Sequence, residues 1–572
     1  MENLRVLLEN SVDRWGDRRA YTLKGKSGKY RNITYKEYYD EIRSLGEAFI
    51  KKGFAGERTA IIGKNSYEWF LVNAAVQFSG GVSVPLDKEL KYGELESSLI
   101  RCEATVIFYD KKQADLVEEA IASGKTSIER AITLYKRDNG EDIFDLLERG
   151  METIAKGETD IDNCKIDDDA VSFLLFTSGT TAQSKIVMLS QKNIYVNVAS
   201  MMRVENFYET DTNIALLPYH HTFGSTGQWV MLAAGMRTVY CDGLKHLQKN
   251  LKEYGVSVFV GVPLIVESIY KKILKTAEKQ GMLGRIKVFS KLCRGLNRAG
   301  IDIRRKIFKG ILEALGGELR LVNLGAAAAD PECMKGFESF GILAIQGYGL
   351  TESAPVLTAE RETVKKEGSV GIPLDNVEIK IFKPDENGIG EVIARGENIM
   401  KGYYHDEEAT ADVLRDGWFH TGDLGYVDKD GFLFLTGRKK NVIVLKNGKN
   451  VFPEELESLV EKLPYQVENI VVGIPAENDE RNLTVSLKIV YDSEYFGEKT
   501  RAEIKSIIDE DIEKINDTVP LYKRIKRIYI TDEPMVKTCT AKIKRFKEVE
   551  KIIEEEKNKI PEKAVKKEDI KN

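Results

Sequence analysis

A hydroxyl-rich turn closed by a cation, Thr177-Ser178-Gly179-Thr180-Thr181-Ala182-Gln183-Ser184-Lys185, follows the apolar run at 171–176. Closely spaced backbone N–H groups and hydroxyls can wrap phosphate oxygens while an ammonium offsets their charge, so the segment suits a triphosphate tail. It is not a P-loop: that pattern needs Gly-Lys followed by Ser or Thr, and Ser184-Lys185-Ile186 fails at two of three positions. A second segment, Gln346-Gly347-Tyr348-Gly349-Leu350-Thr351-Glu352, offers an aromatic face for a base and a carboxylate able to hold a hard cation between phosphates. The dinucleotide fingerprint is excluded, because its third glycine would fall at Glu352. In the third, residues 417–425, Asp423 reads as held on a tight glycine turn, where it can accept from both ribose hydroxyls; Arg438, beyond the next hairpin, can contact the same sugar. The fourth, residues 536–545, carries Lys542, whose ammonium can stabilise an α-phosphate and a substrate carboxylate as the two anions are forced together.

The elements that must position these groups are of two textures. From residue 59 to about 345, short apolar runs alternate with helical periods: 59–62 before a helix capped by Ser66, 257–260 before one opened by Pro263, and 319–324 before a small-residue loop at 325–329, Asp330 and Pro331. This is a layered α/β pattern, and such sheets bind ligands in the loops at their strand ends. After about Glu367 the pattern turns β-rich, with alternation over 377–382, a turn and strand at 388–396 and an Asp430-Gly431 turn between strands. Beyond Arg438 comes a small unit with strands near 467–474 and 483–490 and a helix near 501–515. The expected fold class is α/β: a large N-terminal domain (1–437) of layered α/β subdomains with a β-rich subdomain at about 367–437, a small mobile α+β C-terminal domain (438–552), and a charged tail (553–572).

Composition bounds the rest. The 572 residues give a prior of about three to four domains. Lys plus Arg number 85 against 90 Asp plus Glu, a formal charge of −5, so a nucleic-acid partner is not expected. Six scattered cysteines form no disulfide framework, the five histidines have no zinc spacing, and no apolar run is long enough to span a bilayer. The amino terminus lacks a secretory core, and a cytoplasmic location is expected. No amphipathic anchor stands out, so at most peripheral membrane contact is expected.

Together, in this order and at these separations, the four segments resemble the adenylate-forming superfamily of acyl-CoA synthetases, firefly-type luciferases and peptide-synthetase adenylation domains. The resemblance covers nearly the whole chain. The long-chain fatty acyl-CoA ligase branch looks most similar, on Gly437-Arg438-Lys439-Lys440-Asn441-Val442-Ile443-Val444 and Asn447-Gly448-Lys449-Asn450-Val451-Phe452-Pro453-Glu454-Glu455.

The resemblance implies a fatty acid, ATP and coenzyme A as substrates, with Mg²⁺. The carboxylate attacks the α-phosphate, releasing pyrophosphate, and the coenzyme A thiol then takes the acyl group. It implies that Thr177, Ser178, Gly179, Thr180, Thr181 and Lys185 hold phosphates, with Thr180 and Glu352 serving the metal and Thr351 a phosphate. Tyr348 would pack on adenine, with Gln346, Gly347 and Gly349 around it and the loop from Gly325 and Ala326 beside it. Asp423 and Arg438 would hold the ribose, Lys440 would be the hinge of the small domain, Lys542 the adenylation lysine, and His221 the element beside the acyl pocket, with residues 223–229 as its expected wall. The chain departs from the family at Ala182, Ser184 and Ile186 in the phosphate loop, at the four alanines 326–329, and at Val536 and Ala541, which stand where Pro and Gly are usual; the charged residues survive. Two other readings remain open at this point: transfer of the acyl group to an acyl carrier protein or an amine, and a nucleotide-binding protein that has lost turnover.

Overall fold

The computed structural model describes residues 3–25, 27–177, 184–298, 300–446, 449–476, 479–537 and 543–568. Two large sheets dominate it. One has seven strands, in the order Gly402–Tyr403, Ile186–Ser190, Val171–Phe176, Val82–Leu86, Arg58–Ile62, Val106–Tyr109 and Arg130–Thr133. Its last five strands are parallel and its first two join antiparallel. Those five strands need helical crossovers, and the chain supplies them: Ser66 accepts from the Trp69 N–H and starts the helix Tyr67–Phe78, of which all but Glu68 is buried.

The other sheet has nine strands, with Thr212–Ala215, Val258–Gly261, Leu321–Leu324 and Leu343–Gly349 side by side and parallel. The main core joins both sheets through helices whose large side chains, among them Trp69, Phe70, Tyr35 and Trp229, are almost completely covered. Loops after these parallel strands open at one end, which is where an α/β sheet can hold a ligand. The loop after Leu321–Leu324 leads into the helix Pro331–Ser339, with Asp330 as N-cap accepting from the Glu332 N–H at 3.0 Å.

The β-rich part is an antiparallel meander of Val377–Phe382, Gly390–Gly396, Trp418–Val427 and Leu433–Arg438, with Leu414–Arg415 on the edge. Residues 443–530 pack around a separate core that includes Ile443, Leu456, Leu487 and Ile508. There Gln466–Ala476 pairs antiparallel with Asp479–Tyr491, which pairs parallel with Arg527–Thr531. The final helix runs Arg545–Glu568, well into the charge-dense end of the chain. Among the described residues no helix is long and apolar enough to cross a membrane.

A buried carboxyl pair lies behind the strand Leu343–Gly349. Glu360 accepts from the Gln346 backbone N–H at 3.1 Å, and burial pushes its pKa to about 7. Glu205, at the end of the helix Gln191–Val204, is 6 % exposed; burial and then the like charges of Glu360 and Glu362 push it to about 8. Glu205 is therefore protonated in the fold and releases its proton on unfolding at neutral pH, so its contribution is complete below about pH 4.5 and lost as pH climbs through about 8. The melting temperature should fall as pH rises from about 5 to about 9, and Glu205→Gln should flatten that fall. An unchanged slope in calorimetric melts would contradict the assignment.

Candidate functional site

The strand Val171–Phe176 and its neighbour Ile186–Ser190 form a hairpin whose loop carries the first segment. Its neck is closed by the Thr177 N–H donating to the Lys185 carbonyl at 2.9 Å, with the Lys185 N–H donating to Thr177 Oγ1 at 3.3 Å. Arg101 adds a guanidinium hydrogen bond to the Ser184 carbonyl at 2.5 Å. Ser178, Gly179, Thr180 and Thr181, together with Ala182 and Gln183, lie outside the described residues.

Pairing of Gly402–Tyr403 with Val187 and Met188 sets Tyr403 beside this neck. The Lys185 ammonium sits over the Tyr403 ring, 4.4 Å from its centroid, and the Tyr403 hydroxyl donates to Glu352 Oε1 at 2.9 Å. Lys185 and Glu352, far apart in sequence, thus belong to one cluster through a tyrosine that the sequence reading missed; Gly402-Tyr403-Tyr404 was its only visible trace. Burial first, and then the Glu352 carboxylate, holds the Tyr403 phenol far above its usual range, so it stays a donor. Glu352 is set in a short 3-10 turn, Thr351–Ser353, immediately after the strand that carries Gln346, Gly347, Tyr348 and Gly349.

A second cluster forms at the same end of that strand. The Tyr348 hydroxyl donates to Asp423 Oδ2 at 2.7 Å, and Arg438 Nε lies 2.9 Å from Asp423 Oδ1. Tyr348 and Asp423 are 9 % and 5 % exposed, whereas the Arg438 side chain is 43 % exposed. Asp423 does not stand on a tight turn, as its glycine neighbours suggested: it lies within the strand Trp418–Val427, directly opposite Arg438. The reason is local. Gly422 takes φ +72, which bends the strand without ending it, and its N–H is held by Glu391 Oε1 at 3.2 Å. Glu391, another residue missed in the sequence, also contacts buried His420 at 3.2 Å and Lys439 at 3.0 Å, next to the expected hinge position Lys440, which is exposed.

The small-residue loop is tied to the same strand. Gln346 Oε1 accepts from the Ala329 N–H at 3.3 Å, while its Nε2 donates to the Ser369 carbonyl at 2.6 Å. Ala326 takes φ +70, so one of the four alanines bears the left-handed conformation. Gly325 lies against Phe223, where a Cβ would come within 2.9 Å of the ring. This contact joins the loop to the segment of His221, which caps the helix Thr222–Ala233 and lies with its ring centroid 4.1 Å from that of His220. Burial lowers the His220 pKa, favouring its neutral form. A narrow cleft here is lined by Ala215, Tyr219, Phe223, Gly227, Met231 and Val260.

The arrangement therefore brings Lys185 to Glu352, Tyr348 to Asp423 and Arg438, Gln346 to the Gly325 loop, and that loop to Phe223. His221 joins through its neighbour. Lys542 lies outside the described residues, although its flanks are well tied: Lys537 bridges Ile543 and pairs with Glu468 at 2.6 Å, and Arg545 donates to Glu457 at 2.6 Å. Among the described residues no three His, Cys, Asp or Glu side chains gather to hold a metal. Among the described residues Tyr403 engages one Glu352 oxygen and leaves the other as a hard donor, which fits a Mg²⁺ carried largely by a nucleotide's own phosphates.

Comparison with known proteins gives a consistent picture. The family model described as AMP-binding enzyme matches residues 8–404. The chain is 29 % identical to the long-chain-fatty-acid--CoA ligase ACSBG2 of Gallus gallus, over 88 % of this chain and 70 % of that protein. It is 26 % identical to the long-chain-fatty-acid--[acyl-carrier-protein] ligase AEE15, chloroplastic, of Arabidopsis thaliana, over 96 % of this chain and 85 % of that one. Among solved structures, the anthranilate CoA ligase AuaEII in complex with anthranoyl-AMP superposes with a TM-score of 0.75 at 21 % identity, covering 95 % of this chain and 96 % of that chain.

Tyr403→Phe keeps the ring beneath Lys185 and removes the hydroxyl donor to Glu352. Binding of ATP should weaken about tenfold while binding of AMP changes less than about twofold. Asp423→Asn should weaken both. Titration calorimetry with the two nucleotides checks this, and equal losses of ATP and AMP in the Tyr403 variant would contradict the division into two clusters.

Proposed function

The chain belongs to the AMP-binding enzyme family, and on that premise we propose that it is an ATP-dependent fatty acyl-CoA ligase. The observation that carries this reading is that five consecutive residues, Tyr348 to Glu352, end in two separate ties: Tyr348 to Asp423 and Arg438, and Glu352 through Tyr403 to Lys185. One nucleotide lying along that segment would have its sugar at the first tie and its phosphates at the second.

On this reading the loop of residues 177–185 and Lys185 take the β- and γ-phosphates, with Thr180 and Glu352 serving Mg²⁺ and Thr351 a phosphate. When bound, Mg²⁺ supplies charge neutralisation between phosphate oxygens. Tyr348, flanked by Gln346, Gly347, Gly349 and the Gly325–Ala326 turn, shapes the adenine site, and Asp423 and Arg438 take the ribose. A substrate carboxylate oxygen attacks the α-phosphorus; the new C–O–P bond forms as the α–β bridge breaks and pyrophosphate leaves. Two anions must approach, so cations have to be in place first, and Lys542 supplies the one nearest the reacting atoms. The thiol sulfur of coenzyme A then attacks the acyl carbon, AMP departs with the bridging oxygen, and the thiol proton is released. The adenylate makes this step feasible because a phosphate monoester leaves far more readily than oxide.

We further propose that residues 1–437 hold the nucleotide and the acid, with the β-rich part at about 367–437, and that residues 438–552 swing about Lys440 between the two steps, leaving 553–572 as a charged extension. The acid would enter the cleft beside His221, walled by residues 223–229. A fatty acid as substrate is favoured by relatives such as the ACSBG2 protein, named for that activity. An acyl carrier protein as acceptor is a second reading, favoured by the resemblance to AEE15 over nearly the full chain. A cytoplasmic location goes with either.

Pyrophosphate release should depend on a fatty acid and rise with chain length across a panel from acetate to a C18 acid. Lys542→Ala should lower acid-dependent pyrophosphate exchange by at least about a hundredfold while sparing thioester formation from a supplied acyl-adenylate. Equal loss of both half-reactions would contradict the role of Lys542. Release with no acid of the panel would overturn the function.

A further inference from the structure

The helices Pro263–Lys279 and Leu283–Arg298 leave the nine-stranded sheet directly after the strand Val258–Gly261, whose Val260 lines the cleft. The second of these helices already has a covered face. Ile286 and Cys293 pack with Tyr270, Ile273, Phe308 and Phe340 in a small core. At 100° per residue, Val288 lies opposite that core, Phe289 at its border, one turn before Cys293, and Leu292 well away from it. They are 65 %, 40 % and 50 % exposed. Packing gives no reason for an apolar stripe there. Leu264, Met282 and Ile301 add further exposed apolar side chains at the ends of the two helices.

Positive charge is concentrated in the same stretch of chain. Lys287 and Lys291 form a third row along the helix, both exposed, and neither has a carboxylate partner among the described residues. Residues 263–309 contain thirteen Lys and Arg against three Asp and Glu, in a chain whose formal charge is −5. The sequence reading found no amphipathic anchor because this helix has three faces, covered apolar, exposed apolar and basic; a single apolar stripe is what periodicity reveals.

We propose that the outer face of Leu283–Arg298, with the flanking basic residues, docks on an anionic lipid membrane. An exposed apolar stripe beside a basic row is the pattern of a helix lying in the headgroup region, where the stripe enters the acyl boundary and the lysines meet phosphates. A second copy of the chain is disfavoured by charge, since a two-fold contact would press this basic surface against itself. A nucleic acid would satisfy the lysines and leave the apolar stripe in water. Docking would bring the strand that lines the cleft next to the phase in which a long apolar acid is dissolved.

The test is co-sedimentation of the full chain with vesicles, either phosphatidylcholine alone or phosphatidylcholine with about 30 % phosphatidylglycerol. Binding to the anionic vesicles, weakened by salt and absent from the neutral ones, is expected. The triple variant Val288→Ser, Phe289→Ser, Leu292→Ser and the double variant Lys287→Glu, Lys291→Glu should each lower it at least about tenfold. Both variants change exposed side chains, so thermal melts and pyrophosphate release with a detergent-dispersed acid should match the parent. No binding to anionic vesicles overturns the proposal. So does binding that survives both variants, and so does self-association, seen by light scattering without lipid, that the triple variant abolishes. Vesicle binding needs no turnover, so this surface and the proposed reaction are tested separately.

Discussion

The hydrogen bond from the Tyr348 hydroxyl to Asp423 is the interaction on which the rest of the site depends. It fastens the end of a parallel strand in the nine-stranded sheet to the β-rich meander, and it does so between two buried side chains. A buried carboxylate needs compensation, and Asp423 receives it from two directions, one oxygen from the phenol and the other from Arg438. Because Arg438 is the last residue of its strand and Lys439 and Lys440 follow, the same carboxylate also sets where the chain leaves the meander for the C-terminal unit. Glu391 repeats the device one step further out, holding the Gly422 backbone and Lys439 together.

The layered α/β architecture could be read from the chain because its signals are local. Ser66, Asp330 and Pro263 stand at the helix starts where capping chemistry puts them, and the alternation in Val377–Phe382 matches a strand with one covered face. Segments rich in hydroxyl, glycine and charge were equally visible, since their residue types are unusual at that spacing. What could not be read were the partners that sheet pairing supplies. Tyr403 meets Lys185 and Glu352 only because a two-residue strand adds to the edge of the seven-stranded sheet, and nothing near Tyr403 in sequence announces that register. Asp423 was misplaced on a turn for the opposite reason: glycine usually ends a strand, and here Gly422 bends one that continues.

The helix Leu283–Arg298 and the two clusters bear on one physical problem. If the proposed function holds, an acid with a long apolar tail must deliver a charged head to a polyanion. On the proposed reading Lys185 and a cation at Glu352 would offset the polyanion's charge, while the tail needs a route that avoids water. The cleft beside Phe223 and the exposed apolar stripe that begins one helix away from Val260 lie on the same side of this problem, linked by a single strand and a helical hairpin.

If two distant parts of the chain converge on one nucleotide along residues 348–352, a crystal structure of the protein with ATP will show it. Ribose oxygens are then expected within about 3 Å of the Asp423 carboxylate and phosphate oxygens within about 3 Å of the Lys185 ammonium, in the same ligand. A nucleotide seated elsewhere, or one touching Asp423 with its phosphates turned away from Lys185 and Glu352, would contradict it.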